Sequence, residues 1–311
     1  MTIRPICKEL QEVVIEELNE ATERIEEDLQ HLREWLQKQP HLITRLDDQW
    51  LTTFLRGCKW SLQKSKEKLD YFYTIRTLLP EIFRNRDPFD PLLQQMLGKG
   101  TFYPLPKPFG SDGSRIFFWD FTCFDFETTT VALIFKQLFM SLDMMLWDDD
   151  NLIISGIVIM INARTLPINF ILQFTPTIMK KVLLCLQDAY PIRIQRIIVI
   201  NADEPLEKVY NTIVKPFAGK KLKERIHMYS VANTENAYNY IPKSFFPVEH
   251  GGDNGTCHKA SEQWNKKMES KRKWFLDDSK YKNDECLRAG KPRSSDDEFG
   301  MVGSFKKLSF D

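Results

Sequence analysis

The sequence lacks the motifs with which enzymes commonly bind phosphate or activate a nucleophile. There is no P-loop, no Gly-x-Gly-x-x-Gly after an apolar strand, no Gly-x-Ser-x-Gly and no Cys-x-x-Cys. His250, Cys257 and His258 are close in the chain, but three donors in a polar loop occur by chance far more often than they bind zinc. We therefore expect no enzymatic activity, no metal and no cofactor.

The sequence also lacks an excess of charge, a long apolar run and paired cysteines. The 43 lysines and arginines balance 43 aspartates and glutamates, which excludes a general binder of nucleic acid. The longest apolar run, residues 152–161, is too short to span a bilayer. The six cysteines are scattered, as is usual for free thiols in a reducing compartment, and no signal-peptide core follows Met1. We expect a cytoplasmic monomer that binds membranes only peripherally and reversibly.

The neutral total conceals two segments of opposite charge. Residues 9–28 contain nine acidic side chains and one basic side chain. Residues 180–225 contain ten basic side chains and five acidic ones. A locally basic segment in a neutral protein indicates attraction to one specific anionic surface.

The periodicity predicts four parts of the chain. Residues 1–90 contain amphipathic helices over residues 7–35, after the capping residue Asp47, and over residues 61–79, which is typical of a small all-α domain. Residues 91–255 alternate apolar strands with helices and predict an α/β domain with a small, mostly parallel sheet flanked by helices. Residues 256–283 contain a charged helix. Residues 284–311 are polar and aperiodic, so we expect a disordered tail.

Four motifs then occur in a fixed order. They are Gln187-Asp-Ala-Tyr-Pro191, Ile200-Asn201, Lys215-Pro-Phe217 and Lys223-Glu-Arg-Ile-His-Met228. In order and spacing they resemble the CRAL-TRIO lipid-binding family, most closely its tocopherol- and retinal-carrying branch. The resemblance extends from about residue 49 to residue 252 and implies a lipid-binding α/β domain, a helical N-terminal domain and a mobile gate helix over residues 205–217.

The resemblance also implies which side chains face a lipid. Packing into an ordinary core explains each apolar side chain equally well, because a dry cavity and a core show the same periodicity. By similarity to the family and by position on the inner helices, the expected ligand-lining residues are Phe135, Phe139, Ile161, Val182, Cys185, Leu186, Ile194, Ile197, Val209, Ile213 and Phe217.

A second implied site is basic. In the tocopherol-carrying branch, bases that correspond to Arg193, Lys221 and Arg225 hold a phosphoinositide headgroup, which needs several charge-assisted donors. A fourth family base falls on Cys58, next to Lys59, and Lys215 is the lysine of the Lys-Pro-Phe motif. The alternative is a solvated helix end, where bases are favourable in any case.

Two functions follow from these expectations. The first is a carrier of one hydrophobic molecule, such as a tocopherol, retinoid or carotenoid, that docks on phosphoinositide membranes and exchanges its cargo under the gate helix. The alternative is a phosphoinositide-binding adaptor without a transported cargo. An occupied pocket distinguishes the two.

Overall fold

A computed structural model describes residues 3–110 and 113–300. Its centre is a five-stranded sheet in which the first strand is antiparallel and the others are parallel. In spatial order the strands are Phe102–Pro104, Arg115–Asp120, Ile157–Asn162, Ile194–Ala202 and Ile226–Ser230. The predicted mostly parallel sheet is confirmed. The central strand is apolar on both sides because helices cover both of its faces.

The N-terminal region is helical, as predicted. Its helices are Lys8–Glu16, Ile25–Gln37, Asp48–Gly57, Leu62–Leu78, Pro80–Phe83 and Pro91–Gly98. Asp47 caps one of them, since its carboxylate accepts a 2.9 Å hydrogen bond from the Trp50 backbone N–H. The single helix predicted over residues 7–35 is in fact two, because Asn19 takes a left-handed conformation with φ of 59° between them.

Helices connect the strands. They are Val131–Asp148, Asp150–Ser155, Ile168–Ile171, Pro176–Leu184, Glu204–Val209, Lys215–Phe217 and Lys220–Lys223. Wider π-helical turns, Cys185–Ala189 and Tyr210–Val214, extend two of them. Pro176 divides the predicted 166–186 helix, and the second part begins at this proline because the first turn needs no N–H from it.

Behind the sheet, a buried ionic network joins the helical region to the α/β region. The Arg76 guanidinium lies 2.6 Å from the Asp143 carboxylate and 3.1 Å from the Asp278 carboxylate. Arg45 pairs with Asp278 at 3.1 Å, and Arg86 contacts both carboxylates. Because a buried charge without a partner is costly, this network fixes the C-terminal helix Arg272–Asp278, which follows the helix Cys257–Ser270, against the rest of the chain.

The segment 284–300 differs from the expected disordered tail. Arg288 pairs with Asp70 at 2.6 Å, and the Ser295–Phe299 helix buries Phe299. Composition could not indicate this, because ion pairs to distant residues and one apolar anchor leave no periodic pattern. The rest of the predicted tail, residues 301–311, lies outside the described residues.

Candidate functional site

An apolar cavity of about 170 Å³ lies between the sheet and the helical segment 204–217. All of its lining residues are hydrophobic: Trp119, Phe121, Phe135, Leu138, Ile159, Ile161, Leu166, Phe174, Met179, Val182, Leu183, Leu186, Ile197, Val199, Leu206, Val209, Tyr210, Val214, Ile226 and Met228. Because an unpaired polar group is disfavoured in such a lining, the cavity suits the apolar part of a ligand.

Six of the side chains implied as ligand-lining surround this cavity: Phe135, Ile161, Val182, Leu186, Ile197 and Val209. The other five do not line it. Phe139 packs in the interior, with its ring 5.3 Å from Phe83 and 5.0 Å from Tyr190. Cys185 is fully buried at the start of a π-helical turn, and Ile194 lines a different cleft.

Ile213 and Phe217 are absent from the lining for a geometric reason. The prediction of these two residues assumes a regular α-helix over residues 205–217, but the Tyr210–Val214 turn is π-helical. A π turn takes up one extra residue, so it rotates the side chains that follow. Val214, four residues after Tyr210, lines the cavity, whereas Ile213 and Phe217 do not.

Sequence reasoning named Ile161 and Ile197 but missed the other strand residues of the lining. Three strands each contribute a pair two residues apart: Ile159 with Ile161, Ile197 with Val199, and Ile226 with Met228. Side chains alternate between the two faces of a strand, so such pairs share a face. This alternation was readable, but both faces of the strands are apolar and nothing in the pattern marks which face borders the cavity.

A second cleft, about 1050 Å³ in volume, opens next to the cavity and is basic. It lies between the Asp48–Gly57 and Leu62–Leu78 helices on one side and the Lys220–Lys223 helix on the other. Its basic side chains are Lys59, Lys64, Lys68, Arg193, Lys220, Lys221, Arg225 and Arg293, against the acidic Glu67, Asp188 and Glu298. Several donors thus converge on one concave surface, which is what a multiply charged phosphate group requires.

Four of the five bases implied for a headgroup line this cleft: Lys59, Arg193, Lys221 and Arg225. The fifth, Lys215, is exposed on the last turn of the 204–217 segment and does not line it. Lys59 reaches the cleft because the preceding helix ends at Gly57 and the chain turns through a left-handed conformation at Lys59, with φ of 53°. Cys58, where the family has a base, also lines the cleft.

Three of the cleft bases are partly engaged by the protein itself. The Arg193 guanidinium pairs with the Glu17 carboxylate at 2.8 Å, and Arg225 donates to the Ile194 carbonyl at 2.5 Å. The Lys68 ammonium donates to the carbonyls of Gln187, Asp188 and Tyr190, each at 3.1 Å. Burial lowers the pKa of Lys68. Lys68 therefore joins the helical region to the Cys185–Ala189 turn and the residue that follows it, and the remaining bases are better placed for a ligand.

Leu186 lines both the basic cleft and the apolar cavity. It belongs to the Cys185–Ala189 π-helical turn that follows the Pro176–Leu184 helix. Leu186 therefore borders both the place where an anion could bind and the place where a hydrocarbon could bind.

At the carboxyl ends of the parallel strands, polar side chains bind one another. Asn162 donates to Asp120 at 3.0 Å, and Asn201 donates to Asn162 at 2.8 Å. His250 lies 3.3 Å from Asp120. Because these groups satisfy one another, this end of the sheet is closed by a hydrogen-bonded chain.

Across residues 3–110 and 113–300, no cluster of three or more histidine, cysteine, aspartate or glutamate side chains could hold a metal ion. Within the same ranges, no helix has the length and apolar character needed to cross a bilayer.

Two family models match this architecture. The model described as "CRAL/TRIO domain" matches residues 99–252, which contain the sheet and the cavity. The model described as "Pinta-like, UBA domain" matches residues 21–93 in the helical region. The chain belongs to the CRAL-TRIO family, as the four motifs predict.

The similar proteins place the chain near the tocopherol-transfer branch of this family. The human protein "Alpha-tocopherol transfer protein-like" is 28% identical over 251 residues, which cover 80% of this chain and 71% of that protein. Clavesin-1 of Xenopus laevis is 25% identical over 237 residues, which cover 76% of this chain and 70% of that protein. A solved structure, "Crystal structure of Sfh5", aligns with 83% of this chain and 92% of that chain at a TM-score of 0.36 and 12% identity.

Proposed function

We propose that this protein is a non-catalytic intracellular carrier of one hydrophobic molecule, such as a tocopherol, retinoid or carotenoid. It docks on phosphoinositide-containing membranes through the basic cleft and exchanges its cargo under the 204–217 segment. The observation that carries the proposal is the shared wall at Leu186, which sets an all-apolar cavity directly beside a cleft rich in bases.

The size of the cavity supports a gate. An internal volume of about 170 Å³ is close to the roughly 150 Å³ of an engineered cavity that binds benzene, so a lipid of about 25 to 30 carbons needs more room. The 204–217 segment is the wall best suited to move, because none of its residues is fully buried. Its outward displacement would both enlarge the cavity and open a path for the cargo.

A pair of exposed apolar side chains supports insertion beside this gate. Ile168, 61% exposed, begins the short helix Ile168–Ile171, and Leu172, 67% exposed, follows it; this helix packs next to the Glu204–Val209 helix. The outer face of the gate itself carries charged side chains such as Lys208. We infer that the Ile168 and Leu172 side chains insert into the interfacial region of the membrane, while the 204–217 segment stays at the level of the lipid headgroups.

The cargo is tested by identifying what the protein carries. The full-length chain is purified from a eukaryotic host and extracted with organic solvent, and the extract is analysed by mass spectrometry. We expect one dominant apolar lipid near equal stoichiometry with the protein. An empty extract, together with no uptake of tocopherol, retinoid or sterol from vesicles, would contradict the carrier function.

Docking is tested separately with vesicles. Sedimentation with phosphatidylcholine vesicles that contain about 5 mol% phosphatidylinositol bisphosphate is compared at 0.1 M and 0.5 M salt. We expect binding to fall as salt rises, because exposed charges are screened over about 10 Å at 0.1 M and over shorter distances at higher salt. Binding that is unchanged at 0.5 M salt would rule out the basic cleft as the docking surface.

The small volume of the cavity also favours the second candidate, a phosphoinositide-binding adaptor that transports no cargo. In that case the cavity stays closed and the 204–217 segment does not move. Hydrogen exchange of this segment, measured with and without candidate lipids, separates the two functions. A carrier shows a ligand-dependent change there, whereas an adaptor shows a change only in the cleft when it binds vesicles.

A further inference from the structure

The C-terminal segment 284–300 forms part of the basic cleft. Its Arg293 and Glu298 side chains line the cleft opposite the Lys220–Lys223 helix. The segment is held at both ends. Arg288 pairs with Asp70 at 2.6 Å, and the Gly300 carbonyl accepts a 3.2 Å hydrogen bond from Lys180. The cleft therefore has a wall that lies outside residues 21–93 and 99–252, which the two family models match.

Within this wall, one base and one acid are in loose contact. The Arg293 guanidinium is 3.6 Å from the Glu298 carboxylate and 5.3 Å from the centre of the Tyr71 ring. The Tyr71 hydroxyl donates to Glu298 at 3.0 Å, which holds this carboxylate in place. Arg293 is the more mobile partner, because its side chain is 37% exposed and the 3.6 Å separation is long for a charge-assisted hydrogen bond.

We propose that the 284–300 segment favours binding of multiply phosphorylated inositol groups, with Arg293 as an additional ligand. This inference rests on the proposed docking at the basic cleft. An anion with several negative charges draws Arg293 away from Glu298 toward the bases of the opposite wall. A singly charged phosphodiester gains less from Arg293, because the attraction grows with the charge of the anion.

The geometry offers matched controls on the same segment. Lys291 and Asp297 form a 2.9 Å ion pair on the exposed side, outside the residues that line the cleft. Lys291→Gln therefore removes the same charge as Arg293→Gln without changing the cleft wall. Asp297→Asn is the corresponding control for Glu298→Gln. Arg293→Lys keeps the charge and tests whether the charge is what the site needs.

The experiment measures binding of each full-length variant to phosphatidylcholine vesicles that contain either phosphatidylinositol bisphosphate or phosphatidylserine. We expect Arg293→Gln to weaken binding to the bisphosphate vesicles about fivefold, as for one base near an anionic surface, and to change phosphatidylserine binding much less. Glu298→Gln should strengthen binding to both kinds of vesicle, and more to the bisphosphate vesicles, because the repulsion that it removes grows with the charge of the anion. Lys291→Gln and Asp297→Asn should match the native chain.

A second arm identifies the source of the anion. Soluble inositol trisphosphate is titrated calorimetrically into the native chain and into Arg293→Gln, and it is also used to compete with bisphosphate vesicles. Competition, with a similar loss in Arg293→Gln, supports one site that accepts the headgroup of a lipid. Binding of the soluble compound without any vesicle binding would support the Arg293 site but overturn membrane docking.

The remaining outcomes are also decisive. One outcome is that Lys221→Gln weakens binding to bisphosphate vesicles while Arg293→Gln and Lys291→Gln bind them equally well. In that case docking at the basic cleft is supported and the proposed role of the C-terminal segment is wrong. If the native chain binds neither vesicles nor inositol trisphosphate, the docking function fails together with this inference. Hydrogen exchange over residues 288–300 shows whether the segment stays in place in Arg293→Gln. If vesicle binding is lost because the segment detaches, and Arg293→Lys does not restore it, Arg293 is an anchor of the segment rather than a ligand of the anion.

Discussion

The apolar cavity and the basic cleft share the Leu186 wall, yet they depend on different physics. The cavity is lined by hydrophobic side chains only, so its properties are set by volume and by the absence of polar surface. The cleft is open and carries eight bases and three acids, so its properties are set by charge. The comparison teaches that a substitution in one region should change the function of that region and leave the function of the other unchanged. Uptake of an apolar ligand should respond to polarity, whereas docking should respond to salt.

The largest loss of stability is expected from a substitution in the buried ionic network, because this network holds together the parts of the chain that form both the cavity and the cleft. Asp278→Asn leaves Arg45, Arg76 and Arg86 without their common carboxylate, and breaking a buried ion pair in this way costs about 3–5 kcal/mol of unfolding free energy. Ligand uptake and docking should fall together. Asp277→Asn is the control, because Asp277 pairs only with the exposed Lys280 among the described residues, at 2.6 Å. Denaturant unfolding of the two variants provides the measurement.

The same carboxylate predicts a pH dependence. Burial by itself would raise the pKa of Asp278, but Arg76, Arg86 and Arg45 outweigh it and hold the pKa below its usual range. The stabilisation from this carboxylate is therefore present above about pH 4 and is lost as the pH falls through the lowered pKa. We expect the difference in unfolding free energy between the native chain and Asp278→Asn to decrease only in strong acid. A difference that disappears near neutral pH would show that the pKa of Asp278 is not lowered.

The next largest effect separates the two regions. Val209→Asp places a carboxylate in the cavity wall, and because an unpaired charge is disfavoured there, uptake of an apolar ligand should fall on the order of 100-fold. Vesicle docking should stay close to native. Asn211→Asp adds the same charge on the exposed face of the same segment and should leave uptake unchanged. Equal losses in both variants would show that the charge, not the cavity, is responsible.

A smaller effect is expected from the cleft. Lys221→Gln removes one exposed base and should weaken docking on bisphosphate vesicles about fivefold while leaving ligand uptake intact. Lys259→Gln is a suitable control, since this exposed lysine lies outside the cleft. If the two variants behave alike, docking depends on the total charge of the protein and not on the cleft.

The smallest effect concerns a contact that competes with the ligand. Glu17 pairs with Arg193 at 2.8 Å, and its own side chain is half exposed. Glu17→Gln releases Arg193 and lowers the negative charge near the cleft. Docking should therefore strengthen about two- to threefold, the range of an exposed ion pair. Glu16→Gln, on the same helix, controls for the change in net charge; weaker docking in Glu17→Gln would mean that the pair orients Arg193 for the ligand.

Much of the fold could be predicted because its signals are local. Short apolar runs indicated the parallel strands, and the capping carboxylate of Asp47 marked the start of a helix. Most of the bases expected in the cleft line it, because they lie on short segments that follow recognisable motifs. Signals of this kind extend over a few residues, which is the range that a sequence pattern can describe.

The features that local patterns missed depend on packing between distant residues. The π-helical turn at Tyr210–Val214 rotates the side chains that follow it, and the left-handed turn at Lys59 brings this base into the cleft. The 284–300 segment is ordered by Arg288 and Asp70, which are 218 residues apart in the chain.

Four motifs in the sequence indicated the family by resemblance. Hydrophobic periodicity and charge, which are properties of neighbouring residues, indicated the sheet and the separation of an apolar region from a basic one. Only the tertiary structure decided the volume of the cavity, the single wall at Leu186 and the inclusion of Arg293 in the cleft. The physical reason is that volume and contact across a cleft arise from how side chains of separate elements fill space, and no spacing along one element specifies this.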